Sequence, residues 1–402
     1  MKEAFIVDGL RTAFGKFRGT LSPIRTDDLL AHVIRELVAR NSAIPTDAYE
    51  DVIIGCANQA GEDNRNVARM SLLLAGLPYS VPGETLNRLC SSGMSTIVHA
   101  NRAIKAGDAD LIISGGVEHM TRGPLAMSKS ARPFGGDVKV YDTSFGWRFI
   151  NPKMKEMYGI DPMGNTAENL VDLYRISRED QDQFAYWSQM KASAAQKNGR
   201  LAKEIVGIDI PRRKQEPLHF DQDEFIRHDT SLEALANLRP AFRKEGGTVT
   251  AGNASGLNDG AAAVIVASED AVKEYDLKPL ARILSSAVVG VEPRIMGIGP
   301  VKASQKALAK AGLSLDDLGV IELNEAFAAQ SLACTRQLGL ADNDPRINPN
   351  GGAIAIGHPL GVSGTRISHS LALELHEKDA RYGLATMCVG VGQGYAMVIE
   401  KV

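Results

Sequence analysis

Cys90 lies in the run Asn87-Arg88-Leu89-Cys90-Ser91-Ser92-Gly93-Met94, between a strand-like approach and the small residues that open an amphipathic helix. Unpaired backbone N–H groups at such a place are expected to stabilise a thiolate. Much later come Gly357-His358-Pro359 and a second thiol at the head of Cys388-Val389-Gly390-Val391-Gly392-Gln393-Gly394. Two cysteines and a histidine, each in a glycine-rich bend and none at a metal-ligand spacing, point to acyl transfer through a thioester. Cys90 would be the nucleophile and His358, neutral near pH 7, the base that takes its proton. Taken singly, each has a plainer reading: a buried structural cysteine for Cys90, a capping or core histidine for His358. Cys56 and Cys334 have no such setting and read as structural.

The elements that must position these groups alternate. Ala4–Val7 reads as a buried strand, residues from about 26 to 41 as a helix and Asp51–Gly55 as another strand, an order that implies a parallel sheet. Comparing the chain with itself is more informative. A helix starting at Ser92-Gly93-Met94, with Ile97, Val98 and Ile104, leads through Gly107 into Leu111-Ile112-Ile113 and Gly115-Gly116-Val117. A helix starting at Ser363-Gly364-Thr365, with Ile367, Leu371 and Leu375, leads into Leu384–Met387 and then Cys388. Asp51–Cys56 likewise matches Leu318–Asn324. Two related α/β halves are expected, with the reactive groups where strand ends of both meet. Residues from about 120 to 250 break this rhythm with prolines that include Pro124, Pro133, Pro152 and Pro162, both tryptophans and a helix capped by Ser177, and read as an inserted loop domain over the site.

Composition narrows the function classes. A chain of 402 residues with 44% hydrophobic residues can bury two or three cores. A net charge of −3 offers no field for duplex nucleic acid or an anionic membrane. Four cysteines without a CxxC pair speak against a disulfide scaffold or zinc site and for a reducing cytoplasm. The start of the chain has no apolar signal core, and no apolar run approaches the roughly 18 residues of a membrane span. Neither GxxxxGK[ST] nor GxGxxG occurs, so nucleotide hydrolysis and dinucleotide binding have no support.

Five blocks in order, Asn87–Gly93, Asn253–Ala261, Asn324-Glu325-Ala326-Phe327, Gly351–Pro359 and Cys388–Gly394, resemble the signatures of the thiolase family from one end of the chain to the other. The resemblance implies an α/β thiolase-like fold: duplicated βαβαβαββ halves forming a five-layered α-β-α-β-α core with an inserted loop domain. The implied limits are residues 1–119 plus 251–272 for the N-terminal half, 120–250 for the loop domain and 273–402 for the C-terminal half. It further implies Cys90 as nucleophile, His358 as base and Cys388 as the acid/base on the acetyl methyl. One oxyanion hole would use the N–H groups of Cys90 and Gly390, the other His358 and a water held by Asn324. Asn324 read alone could be a helix N-cap with its acidic partner in the first turn. Glycines 390, 392 and 394 would let a planar thioester lie against the backbone. Coenzyme A and acyl-CoA are the implied substrates, with no further cofactor or metal. Arg227 would stand near the adenine and phosphate end, Ser255 on the pantetheine arm, and Ala251, Met163, Ala326 and Phe327 along the tunnel. The assembly implied is a homotetramer, a dimer of dimers.

Gly55–Arg69 and Gly146–Pro152 are similar to 3-oxoadipyl-CoA thiolases, whose dicarboxylic acyl chain needs a cation, for which Arg148 is a candidate; its plainer reading is a surface or intersubunit arginine. Pro162–Asn169 looks more like acetoacetyl-CoA or general 3-ketoacyl-CoA thiolases, and Ala131–Gly136 departs from the 3-oxoadipyl pattern. Two further readings are a silent acyl-CoA-binding relative and a ketosynthase on the same fold. The presence of all three reactive residues, and of cysteine at 388, weighs against both.

Overall fold

The structure, a computed structural model, describes residues 2–402. Nine strands form the main path of one large sheet: β1 (Ala4–Thr12), β2 (Asp51–Gly55), β3 (Glu84–Leu86), β4 (Leu111–His119), β5 (Asn258–Ser268), β6 (Ala281–Gly290), β7 (Leu318–Leu323), β8 (Tyr382–Val389) and β9 (Gln393–Lys401). The helices that matter for the site are α1 (Thr26–Arg40), α2 (Val67–Ala75), α3 (Ser92–Ala106), α4 (Met163–Tyr174), α5 (Arg178–Lys197), α6 (Gly299–Ala311), α7 (Ala328–Gln337) and α8 (Leu360–Glu377).

The strand order is β7-β8-β9-β6-β1-β5-β4-β2-β3, and it carries the repeat. β1, β5, β4 and β2 of the first half stand in the same succession as β6, β9, β8 and β7 of the second. The halves join where β1 meets β6 through Phe5–Arg282 and Ile6–Ala281. The expected parallel sheet is corrected to a mixed one. β2 pairs in parallel with β3 and β4, and β7 with β8, but β5 and β9 run antiparallel to their neighbours. The cause is local: β8 returns as β9 through the tight bend Gly390–Gly392, and a hairpin can only pair antiparallel strands. Where β3 would recur in the second half there is only an isolated bridge between Ile321 and Ile347.

Apolar periodicity decides how the layers stack. Leu30, Ile34 and Leu37 of α1 pack on one face of the first sheet region with Val52 and Ile113, while Ala303, Ala307 and Leu308 of α6 cover the second with Leu323 and Leu384. Between them lies a shared core in which Met94, Ile97 and Ile104 of α3 and Ile367, Leu371 and Leu375 of α8 meet strand residues of both halves. The succession is helix, sheet, helix, sheet, helix. α3 and α8 touch through glycine: a Cβ on Gly364 would lie 2.3 Å from the Met94 nitrogen, and one on Gly93 2.4 Å from Thr365 Oγ1. That close crossing brings the chain before α3, with Cys90, beside the chain before α8, with His358.

Residues 120–250 join short strands and the helices α4 and α5 by irregular stretches. Ser177 caps α5 by accepting from the Asp180 N–H at 3.0 Å. The region is anchored to the core by Arg11, fully buried, which donates to Glu204 at 2.8 Å and to both oxygens of Asp223 at 2.7 and 2.8 Å. Breaking such a pair would leave an uncompensated buried charge, a loss of roughly 3–5 kcal/mol.

Candidate active site

Cys90 sits in a single 3₁₀ turn, Leu89–Ser91, and α3 begins two residues later at Ser92. The turn is held by side chains. Asn87 Oδ1 accepts from Leu89 N–H at 2.9 Å, Ser92 Oγ accepts from Arg88 N–H at 2.9 Å, and Leu89 takes a left-handed φ of 47°. Arg88 also donates to Gln393 Oε1 at 3.1 Å, tying the turn to the opposite half. Burial pushes the Cys90 thiol up to about 11, although backbone N–H groups, that of Gly390 among them, pull the other way. The expected stabilised thiolate is therefore corrected: burial outweighs the turn's N–H groups, and the resting group is a thiol.

His358 follows Gly357, whose φ of 114° is open to glycine and which passes against Asn258 so closely that a Cβ would meet its Cγ at 2.6 Å. Asn258 Oδ1 accepts from the His358 N–H at 3.0 Å. On the ring, Nδ1 lies 2.6 Å from Ser363 Oγ, and Nε2 lies 3.5 Å from Asn324 Nδ2. Burial, with a smaller contribution from Arg366, holds the imidazole down to about 4, so it is neutral at pH 7.

Asn324 is not a helix N-cap, since α7 starts only at Ala328. It stands behind His358, fully buried. Its neighbour Glu325, also buried, accepts from Ser188 at 2.6 Å, Asn348 at 2.7 Å and the Ile354 N–H at 3.2 Å, and so binds α5 to the segment that leads to His358.

Cys388 closes β8 and is fully buried, its thiol pushed well up by burial and by the nearby Cys90 and Cys334. Gly390 faces the same space as Leu89 and Met163. Gly392 and Gly394 do not. A Cβ on Gly392 would meet the Val291 carbonyl at 2.3 Å, and one on Gly394 the backbone of Gly299 at 2.1 Å. Those two glycines serve the hairpin and its packing on α6, which corrects the expectation that they lie against a thioester.

Cys90, His358, Cys388 and Gly390 line one mostly apolar cavity of about 890 Å³, within the roughly 300–1,000 Å³ usual for small-molecule sites. Met163, Ala251, Ser255, Ala326 and Phe327 line it too, and Arg227 lies on its exposed rim over the Phe225 ring. Ser255 N–H bonds to the Ala326 carbonyl at 3.0 Å. Cys334 is buried against the Gly297 carbonyl, and Cys56 against that of Asn58, outside the cavity wall.

Sequence reasoning missed three residues that shape this wall. Ser363 and Asn258 hold His358, as above. Glu118, at the end of β4 and buried, accepts from the N–H groups of Ala57 at 3.0 Å, Asn58 at 2.9 Å and Gly361 at 2.8 Å. Burial raises it to about 7, and its charge is felt at Cys90. The one carboxylate in the strand Leu111–His119, whose only other polar side chains are Ser114 and His119, was the available signal. Among the described residues Cys56, Asp63 and Glu118 offer a sulfur and two carboxylates within 4.8 Å. These donors are engaged, Glu118 by its three N–H groups and Asp63 by that of Gly61 at 2.8 Å.

Residues 4–270 match the family described as Thiolase, N-terminal domain, and residues 277–401 match Thiolase, C-terminal domain. The chain belongs to the thiolase family. As a thiolase it is an acyltransferase, and its substrates are CoA thioesters. It is 58% identical over 402 residues, all of both chains, to a beta-ketoadipyl-CoA thiolase of Acinetobacter baylyi. To the 3-oxoadipyl-CoA/3-oxo-5,6-dehydrosuberyl-CoA thiolase of Escherichia coli it is 55% identical, again over the full length of both. The fold of this thiolase superposes on the crystal structure of the Bacillus anthracis acetyl-CoA acetyltransferase with a TM-score of 0.92 at 40% identity, covering 100% of this chain and 99% of the other. No helix among the described residues is long and apolar enough to cross a membrane.

Proposed function

We propose that this thiolase cleaves 3-oxoadipyl-CoA with coenzyme A, giving succinyl-CoA and acetyl-CoA. The observation that carries the reading is the convergence of Cys90, His358, Cys388 and Gly390 on one cavity in a chain 55–58% identical to full-length relatives named for that substrate.

In this reading Cys90 gives its proton to Nε2 of His358 as Sγ attacks the 3-keto carbon. The oxyanion is met by the N–H groups of Cys90 and Gly390. The C2–C3 bond then breaks, its electron pair passing into an enolate that faces His358 and a water held by Asn324. Cys388 protonates that carbanion, and acetyl-CoA leaves. Incoming CoA surrenders its thiol proton to the Cys388 thiolate and attacks the succinyl thioester, and Cys90 departs with the proton held by His358. Arg227 and Ser255 hold the nucleotide and pantetheine parts of CoA, and Ala251, Met163, Ala326 and Phe327 form the tunnel. No metal or further cofactor enters this sequence.

The domain limits proposed are residues 1–119 with 251–272, 120–250, and 273–402, the middle part covering the site and forming tetramer contacts. Exposed Leu125, Met127, Phe134, Val140 and Phe149 in that part, and Met70, Leu73 and Leu74 on α2, support assembly as a dimer of dimers, which mass measurement in solution tests. The cytoplasm is the proposed location, in keeping with four free cysteines.

A second reading, acetoacetyl-CoA or general 3-ketoacyl-CoA thiolysis, is favoured by Pro162–Asn169. Thiolysis rates on 3-oxoadipyl-CoA, acetoacetyl-CoA and a long-chain 3-ketoacyl-CoA decide between them. The dicarboxylate is expected to lead by at least roughly tenfold in kcat/KM, and a lead by either other substrate overturns the assignment.

A further inference from the structure

The geometry points to Arg148 as the residue that recognises the free carboxylate of the acyl chain, with Asn58 and Thr143 holding the loop that presents it. This rests on the substrate reading above and extends it to a named specificity residue.

Three arginines are the only cationic side chains on the cavity wall among the described residues. Arg294 is exposed and already paired with Asp161 at 3.0 Å. Arg227 is exposed on the rim, stacked over Phe225, with its backbone N–H held by Gln189 of α5 at 2.8 Å. Arg148 is half-buried, and among the described residues no carboxylate stands at ion-pair distance from it. Its one hydrogen bond is a long one, 3.4 Å, to the Thr143 carbonyl. A half-buried guanidinium facing an apolar cavity without a counter-charge is costly to keep, and a planar carboxylate fills its fork with two parallel bonds.

A chain of contacts links Arg148 to the surroundings of Cys90. Thr143, which shares its carbonyl with Arg148, is buried and pinned by Asn58, whose Nδ2 donates to the Thr143 carbonyl at 3.1 Å and to its Oγ1 at 3.2 Å. The Asn58 N–H is in turn held by Glu118, the carboxylate whose charge reaches Cys90. Phe145, Gly146 and Trp147, between Thr143 and Arg148, also line the cavity. Once the C2–C3 bond has broken, the group left on Cys90 is a succinyl thioester. Its carboxylate sits only three C–C bonds beyond the acyl carbon, roughly 5 Å away. So short a chain must be met on the wall near Cys90, and the Thr143–Arg148 loop is the part of that wall that carries an unpaired cation.

The test uses two substrates of equal carbon count, 3-oxoadipyl-CoA and 3-oxohexanoyl-CoA, in which a methyl replaces the carboxylate. Steady-state thiolysis is measured for the wild type, Arg148→Leu and Arg148→Lys. In Arg148→Leu the ratio of kcat/KM for the dicarboxylate over the methyl analogue is expected to fall roughly ten- to hundred-fold, chiefly through KM. Arg148→Lys, which keeps the charge but not the fork, should recover part of it. A wild-type ratio in Arg148→Leu, or an equal loss on both substrates in both variants, overturns the proposal. A wild type that thiolyses only the methyl analogue sinks the substrate reading itself, a result visible before any variant is made.

Discussion

Ser363 Oγ lies 2.6 Å from Nδ1 of His358 and 3.1 Å from the Pro359 carbonyl. A carbonyl only accepts, so the hydroxyl proton points to Pro359 and the hydroxyl oxygen is left to accept from Nδ1–H. The bare lone pair is then on Nε2, the nitrogen beside Asn324. One serine at the first turn of α8 thus fixes the tautomer that a base needs. Replacing Ser363 by Ala frees the ring to turn or to take the other tautomer. A fall in kcat of roughly ten-fold, with KM little changed, is expected from steady-state thiolysis.

The protonation states give a pH signature. With Cys90 pushed up to about 11 and His358 held down to about 4, the substrate-free enzyme holds a thiol and a neutral imidazole from about pH 5 to about pH 9. The thiolate fraction then grows about tenfold per pH unit in this range. Alkylation of Cys90 by iodoacetamide, located by peptide mass, should climb steadily between about pH 7 and pH 9. A plateau beginning near pH 7 would reveal a preformed thiolate–imidazolium pair instead.

Cys388 is assigned a proton on carbon. In Cys388→Ser, exchange of the acetyl-CoA methyl protons with heavy water is expected to slow by at least roughly a hundred-fold. Alkylation of Cys90 should persist in the same protein. Loss of both together would mean that Cys388 acts through packing.

The crossing of α3 and α8 makes a stability prediction. A methyl at Gly364 would sit 2.3 Å from the Met94 nitrogen, and backbone cannot move aside as a flexible side chain can. Gly364→Ala should cost about 1–3 kcal/mol in denaturant unfolding. Gly312→Ala, at a helix end with open space around it but a φ of 69°, should cost about 1 kcal/mol, from backbone strain alone.

What the sequence made legible was the repeating part. Helical spacing of apolar residues is clear in Ile97 and Ile104 and again in Ile367, Leu371 and Leu375, and both stretches became the central helices. Asp51–Gly55 and Leu318–Leu323 became equivalent strands. Strand direction was less legible, because it is set by connections: the bend at Gly390–Gly392 reverses the last strand in a way alternation cannot reveal. Within the site, the residues with intrinsic reactivity stood out, while those that only hold them did not. Glu118 reaches partners 60 or more positions away, and Asn258 one 100 positions away. Ser363, only five positions from His358, meets it because the first turn of α8 folds the chain back. Such pairs exist only once the chain has folded. The protonation state of Cys90 is hidden from the sequence for the same reason, since burial around Cys90 comes from residues distant in the chain.

The central claim is that an acyl group passes through Cys90, and mass analysis of peptides after mixing with 3-oxoadipyl-CoA, with no free coenzyme A added, tests it most directly. The account predicts a succinyl adduct on the peptide bearing Cys90, lost on adding coenzyme A and absent from Cys90→Ser. An unmodified Cys90 under conditions where acetyl-CoA is released, or an adduct on another residue, contradicts it.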